Sequence, residues 1–345
     1  MPEKVKLGLI GCGGQGRYLS DALNITGLAE MAACADLVPE KAADAAAQCG
    51  YRETYTDAAE MLAKADVDAV IVATIHDQLQ PCGMQAVEAG KHLFVEKPMA
   101  LNAADGRALC DAAKKAGVKI MVGYTLPFLP ARVRMKQLLD QGAIGDIVHV
   151  TAGQLIGNMG GWLGELEHGG GPLLYVGTHA LYQVLDVVPV RATRVFAEVD
   201  FTDSGVDAWC QFTIRFEGGI AAQMTTSQRM GGRYGWIDII GSDGLLRSEW
   251  ESNQLIVQSR KVPEYRERTT IDVEATATGP ATKLGTMASV TGFKYVRAWA
   301  SEFMEFIAAI QEDRAPRVSG EDGVRVLEIC DAIIESGKTG KAVVL

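Results

Sequence analysis

The 345-residue sequence predicts an α/β domain on a doubly wound parallel sheet over residues 1–123, followed by an α+β domain with a large, mainly antiparallel open sheet over 124–345. Three observations predict this. The chain opens on an apolar strand run that breaks into a glycine turn and then a helix. Strand runs and helical segments alternate from there to about residue 123, as in repeated βαβ units. From Thr193 to Ile240, alternating or apolar runs follow one another with no helices between them, as in an antiparallel sheet covered on one face.

The opening stretch is Val5 to Arg17, VKLGLIGCGGQGR. Its apolar run has the length and branching of a buried strand. Gly11, Gly13 and Gly16 then fall at the spacing G-x-G-x-x-G, with Gln15 inside the motif. Each glycine has its own task in a dinucleotide site. Gly11 makes the tight strand-to-helix turn, Gly13 lets the backbone reach the pyrophosphate, and Gly16 lets helix pack on strand. The helix expected over Tyr18–Thr26 points its free N–H groups at the phosphates. A second apolar run, Ala29 to Ala35, ends in Asp36, where an acid holds the ribose 2′-hydroxyl. The pattern is that of a dinucleotide-binding, Rossmann-type domain.

The elements follow in order. Pro39–Gln48 is an alanine-rich helix closed by Gly50 in a left-handed cap. Asp57 and Glu60 start a helix to Lys64. Ala69–Thr74 is a continuous apolar strand. Gly90 caps a helix ending at Glu88–Ala89, and His92–Val95 is the next strand. Asn102–Ala116 is a helix capped by Gly117, and Ile120–Val122 a strand. Ala131–Gln141 is one more helix and Ile147–Ile156 begins the strand-rich part. Residues 157–171 are too dense in glycine for regular structure, and Leu173–Val187 reads as a helix. Strands are expected at Thr193–Val199, Ala208–Phe216, Ile220–Thr226 and Ile237–Ile240, with hairpin turns at Glu217–Gly219 and Ser242–Gly244. Residues 259–290 read as an extended polar loop. Phe293–Gln311 is an amphipathic helix, and Ser319 or Asp322 starts a closing helix to Ser336.

Composition narrows the function classes. A hydrophobic content of 48%, a charged content of 22% and a formal net charge of −10 describe a globular protein with no basic stripe for nucleic acid. No signal-peptide series opens the chain, and no apolar run approaches the ~20 residues of a membrane span. The seven cysteines show no C-x-x-C spacing, so they read as reduced packing residues, with no metal site. A cytoplasmic location is expected.

The second informative stretch is EAGKHLFVEKPMALN, Glu88 to Asn102, where a strand ends in Glu96-Lys97-Pro98. With the glycine turn, it resembles the glucose–fructose oxidoreductase, inositol dehydrogenase and MocA family of NAD(P)-dependent oxidoreductases. Leu138–Ile147, Gly169–Gly171 with Gly177–His179, and Arg317–Val343 are similar to family segments as well. The resemblance implies that Lys97 contacts substrate and nicotinamide, that Glu96 lies beside the cofactor, and that the peptide before Pro98 is cis. A lysine suits hydride transfer, because its ammonium stabilises alkoxide character on the reacting oxygen.

In YVGTHALY, Tyr175 to Tyr182, His179 is the expected proton acceptor, because the unperturbed histidine side chain titrates near neutrality. The resemblance places an aspartate where Tyr175 stands, one helical turn earlier, so Tyr175 is either part of the proton relay or a shaping residue. Tyr182 and the segment Gly123–Pro127 also replace charged family positions, which favours an uncharged sugar, glycoside or cyclitol. Tyr124, Trp162 and His168 are candidate substrate contacts. Thr74 and His76 stand where family members touch the cofactor ribose. Asp36 is followed by Leu37 and Val38 with no arginine for a 2′-phosphate, so NAD is favoured over NADP.

The leading expectation is therefore a dehydrogenase acting on a secondary hydroxyl, or reducing the ketone. Two alternatives stay open: a glycosidase that uses NAD for transient oxidation and elimination, and a non-catalytic sugar sensor. An apolar face on the second domain's sheet further predicts a homodimer or homotetramer joined through it.

Overall fold

The computed structural model describes residues 4–157, 159–250, 252, 254–273 and 293–345. The chain divides into two compact units. The first runs to Thr125 and takes in the helix Phe293–Gln311 and the chain on to Val324; the second starts at Leu126 and takes in Arg325–Leu345.

In the first unit, strands β1 (Val5–Ile10), β2 (Ala29–Ala35), β3 (Glu53–Tyr55), β4 (Ala69–Val72), β5 (His92–Val95) and β6 (Ile120–Val122) form one parallel sheet. Its order is β3-β2-β1-β4-β5-β6. The order reverses between β1 and β4, and ligands bind at such a switch point, outside the carboxyl ends of the strands. The connecting helices are α1 (Gly14–Thr26), α2 (Pro39–Cys49), α3 (Ala58–Lys64), α4 (His76–Glu88) and α5 (Ala103–Ala116). Their ends follow the sequence. The Asp57 side chain accepts from the Glu60 amide, Asn102 accepts from the Asp105 amide, and Gly50 and Gly117 take left-handed caps. Two boundaries among these elements differ from expectation by more than one residue. α1 starts at Gly14 rather than Tyr18, because the glycines themselves already adopt the helix, and β4 stops at Val72.

Two later helices are α8 (Phe293–Gln311) and α9 (Gly320–Thr339). On α8, Phe303 and Phe306 are fully buried, with ring centroids 4.7 and 5.9 Å from Phe94 on β5. Burying such a ring contributes roughly 2–3 kcal/mol. Ser319 and Asp322 cap the start of α9 reciprocally, the Ser319 amide donating to Asp322 Oδ2 and the Asp322 amide to Ser319 Oγ.

The second unit opens with α6 (Pro130–Asp140) and β7 (Ile147–Ile156). A π-helical turn, Leu173–Gly177, leads into α7 (Thr178–Val187). Strands β8 (Ala192–Phe201), β9 (Asp207–Phe216), β10 (Ala221–Ser227), β11 (Arg233–Gly241), β12 (Gly244–Glu249), β13 (Gln254–Ser259), β14 (Thr269–Asp272) and β15 (Val343–Val344) complete a sheet ordered β14-β13-β12-β11-β7-β10-β9-β8-β15. Its neighbours are antiparallel except β7 and β10, which run parallel. Strands β12 to β14 were not expected, and β14 with the turn Pro263–Tyr265 occupies part of the segment read as a loop. The part of that reading over 274–290 lies outside the described residues.

Alternation along β9 and β10 buries Phe212, Ile214, Phe216 and Met224 on one side. The other side carries Trp209, Gln211, Thr213 and Arg215 on β9, with Gln223 and Thr225 on β10. This corrects the expectation of an apolar outer face. It is mixed: amides and hydroxyls surround isolated rings such as Phe196, which is 44% exposed. None of the seven cysteines is in a disulfide, and no described helix is long and apolar enough to cross a membrane.

Candidate active site

The glycine turn is built as a dinucleotide cradle. Gly11 has φ +94°, and a Cβ there would lie 2.6 Å from the Ala73 carbonyl oxygen. A Cβ on Gly16 would lie 2.1 Å from the Gly11 carbonyl oxygen, so only glycine lets α1 approach β1 this closely. Gly13 differs: a Cβ there meets nothing within 4 Å. Protein packing does not require glycine at that position, whereas close approach of a ligand to the backbone does. No side chain caps α1, which leaves its positive end to an anion. Asp36, half-buried at the end of β2, accepts from the Cys12 amide at 2.9 Å and the Val38 amide at 2.9 Å. Those two bonds fix the carboxylate beside the turn. The geometry of the turn thus fits an adenine dinucleotide, which Gly11, Gly13, Gln15, Gly16 and Asp36 would hold. Thr74 sits half-buried by Gly11, its hydroxyl donating to the Ile75 carbonyl. His76 opens α4 but is only 3% exposed.

At the end of β5 the run Leu93–Ala100 is buried except at Lys97, which is half-exposed. The Lys97–Pro98 peptide is cis. Glu96 is buried beside it. Its Oε1 accepts from Gln15 Nε2 at 2.8 Å, which ties the end of β5 to the glycine turn, and its Oε2 accepts from the Lys97 amide at 3.1 Å. Burial pushes the Glu96 carboxyl up, and the charge of Lys97 and the Gln15 bond work against that rise.

Behind Glu96 lies a second carboxyl that sequence reasoning missed. Glu302 on α8 has no exposed surface, and its Oε2 accepts from Thr125 Oγ1 at 3.2 Å. Thr125 Oγ1 in turn accepts from Trp299 Nε1 at 3.2 Å, and Trp299 stacks on Tyr18 of α1. Indole only donates, so the chain of bonds has one direction: Trp299 to Thr125 to Glu302. Burial first, and the charge of Glu96 second, push the Glu302 carboxyl well above its ordinary range. Of the pair Glu302 and Glu96, Glu302 is thus the carboxyl pushed further toward its neutral form. A signal was present: Glu302 is an acid on the apolar stripe of α8, between Trp299 and Phe303.

In the second unit, Tyr175 lies in the π-helical turn and His179 in α7, both half-exposed while Val176, Gly177, Thr178 and Ala180 between and after them are buried. π-helical turns are rare and occur mostly at functional sites. Gln183 donates through Nε2 to the His179 carbonyl at 3.4 Å and accepts from Arg132 Nε at 2.6 Å, pinning α7 to α6. In the preceding loop Trp162 and His168 are half-exposed, and His168 Nε2 lies 3.5 Å from Glu165 Oε2. One candidate substrate contact is corrected: Tyr124 is fully buried and offers no ring face to a sugar. Tyr182, which stands at a charged family position, is 3% exposed and belongs to the core.

A doubly wound sheet with this cradle, joined to a unit built on an open mixed sheet, defines a nucleotide-dependent oxidoreductase. Residues 5–124 match the model of the GFO/IDH/MocA oxidoreductase family with its NAD-binding Rossmann fold, and residues 133–247 match the GFO/IDH/MocA C-terminal domain. The chain belongs to this family. It is 28% identical over 341 residues to an inositol 2-dehydrogenase of Rhizobium meliloti, covering 96% of each chain. It is 26% identical over 343 residues to a 1,5-anhydro-D-fructose reductase of Ensifer adhaerens, covering 97% of each. A levoglucosan dehydrogenase solved in complex with NADH and levoglucosan superposes with a TM-score of 0.88 at 26% identity, covering 99% of both chains.

Proposed function

We propose that this chain is an NAD-dependent dehydrogenase that oxidises a secondary hydroxyl of an uncharged sugar, glycoside or cyclitol, or reduces the corresponding ketone. The observation that carries the reading is Lys97, half-exposed in an otherwise buried run and set beside a Glu96 that is tied to the glycine turn. The inositol, anhydrofructose and levoglucosan enzymes among its relatives are named for uncharged polyols and sugars, which supports the substrate class.

Bound NAD supplies the hydride acceptor. Lys97 then donates a hydrogen bond to the reacting oxygen and stabilises its alkoxide character, while His179 takes the proton. Trp162 and His168 are the proposed sugar contacts, and Thr74, half-exposed beside Gly11, is the proposed ribose contact. Asp36 selects NAD, because Leu37 and Val38 follow it and a 2′-phosphate would meet a carboxylate. NAD should bind at least about tenfold tighter than NADP in titration calorimetry, since one like-charge contact costs about 1 kcal/mol or more.

The test is a panel of sugars, cyclitols and glycosides followed by NADH absorbance, with Lys97→Ala beside the wild type. Accumulating NADH that falls by roughly 10²–10⁴ in kcat in the variant supports the reading. Glycoside cleavage with no net NADH would point to transient oxidation instead. Full turnover in Lys97→Ala would remove Lys97 from the chemistry.

A further inference from the structure

The π-helical turn that carries Tyr175 begins at Pro172 with no side-chain cap of its own. Its first amide is taken by a residue from another element. Leu173 N donates to Asp207 Oδ2 at 2.8 Å, from the first position of β9. Cys210 Sγ donates to the same oxygen at 3.4 Å, and the carboxylate is 4% exposed. The glycine triplet leaves the room for it. A Cβ on Gly171, at φ +106°, would lie 2.0 Å from Asp207 Oδ1, and a Cβ on Gly170 would lie 2.4 Å from the Leu163 carbonyl oxygen. The Asp207 backbone is also held, its carbonyl accepting from Gln228 Nε2 at 3.3 Å.

We propose that Asp207 is a positioning residue for the helix that carries Tyr175 and His179, its carboxylate holding the first turn at the Leu173 amide in place of a helix cap. The catalytic consequence rests on the dehydrogenase reading above; the structural consequence does not. A carboxylate at a helix start gains from the helix dipole and from a charge-assisted bond. Burial opposes it. The titratable groups that face it are Cys210 and Cys330, both neutral thiols pushed up by burial, so neither offsets the charge. The Asp207 carboxyl is accordingly pushed up to about 6 from 3.8, by burial first. The folded state then binds this proton more tightly than the unfolded chain. Stability falls as pH rises from about 4 to about 6 and stays lower above that. A residue kept for stability alone would be an asparagine here, which keeps the acceptor and loses the charge.

The experiment compares wild type, Asp207→Asn and Asp207→Ala. It reads thermal unfolding at about pH 5 and about pH 8, amide exchange over residues 173–179, and kcat against KM. Asp207→Asn should raise Tm at the higher pH by about 2 °C or more and by a smaller amount at the lower. It should also keep Leu173 protection and hold kcat within about threefold of wild type. Asp207→Ala should lose Leu173 protection and lower kcat by about tenfold or more, with cofactor affinity unchanged. Wild-type protection and kcat in Asp207→Ala would overturn the proposal. So would an Asp207→Asn variant whose Leu173 protection is lost, and that arm decides if Asp207→Ala does not fold. If the wild type shows no NAD-dependent turnover, the dehydrogenase reading fails, and amide exchange alone decides for Asp207.

Discussion

Glu302 shows most directly what a single side chain costs and gives in this protein. A carboxyl with no exposed surface beside a second buried carboxyl cannot ionise cheaply. Its folded-state proton affinity lies above that of the unfolded chain, so the folded state is favoured while the acid is protonated. That contribution is lost as pH rises upward from the ordinary carboxylate value of 4.5. Thermal unfolding from about pH 5 to about pH 9 should therefore show a steeper fall in Tm for wild type than for Glu302→Gln, with the curves converging at the acid end. Parallel curves would mean that Glu302 is not the neutral member of the pair. Little of this was legible in the sequence. The motif residues Gly11, Gly16 and Asp36 were, because local spacing after the first two strands marks them, and Glu96 was through the family resemblance of Glu96-Lys97-Pro98. Glu302 and Asp207 meet their partners Thr125 and Leu173 at separations of 177 and 34 residues, and no local pattern announces such a pairing.

Elements with capping residues and long apolar stripes were read nearly to the residue. Strands β2, β5, β6 and β7 and the helix Phe293–Gln311 begin and end as expected. Those that lacked such marks were missed. β3 is a three-residue strand with little burial, and β12 and β13 are short strands whose apolar residues sit side by side, Leu245-Leu246 and Leu255-Ile256-Val257, with no period-two alternation to mark them. The π-helical turn at Leu173–Gly177 was read as plain α-helix, because the same apolar residues satisfy either winding. That turn holds the choice left open for Tyr175. Tyr175→Phe removes the hydroxyl and keeps the ring. If the phenol belongs to the proton relay, kcat falls and its pH profile moves while KM stays near wild type. An unchanged profile leaves the ring as a shaping residue.

At the scale of the molecule, the nine-stranded sheet leaves open a face where Tyr234 stacks on Trp236 at 5.4 Å, among glutamines and threonines. We propose that two copies pair through this face to form a homodimer, or four a homotetramer. Aromatic rings in a polar setting are the composition of an interface core and rim. Light scattering at micromolar concentration should give a multiple of the monomer mass, and a monomer mass would end the proposal. The distribution of thiols has a separate use. Cys12, Cys34, Cys49 and Cys110 are buried in the first unit, Cys210 and Cys330 in the second, and Cys82 alone is half-exposed. A thiol reagent meets Cys82 in the native protein and the others only as their surroundings open. Peptide-resolved alkylation thus turns the native cysteines into two clocks, one for the opening of each unit, with Cys82 as the zero mark.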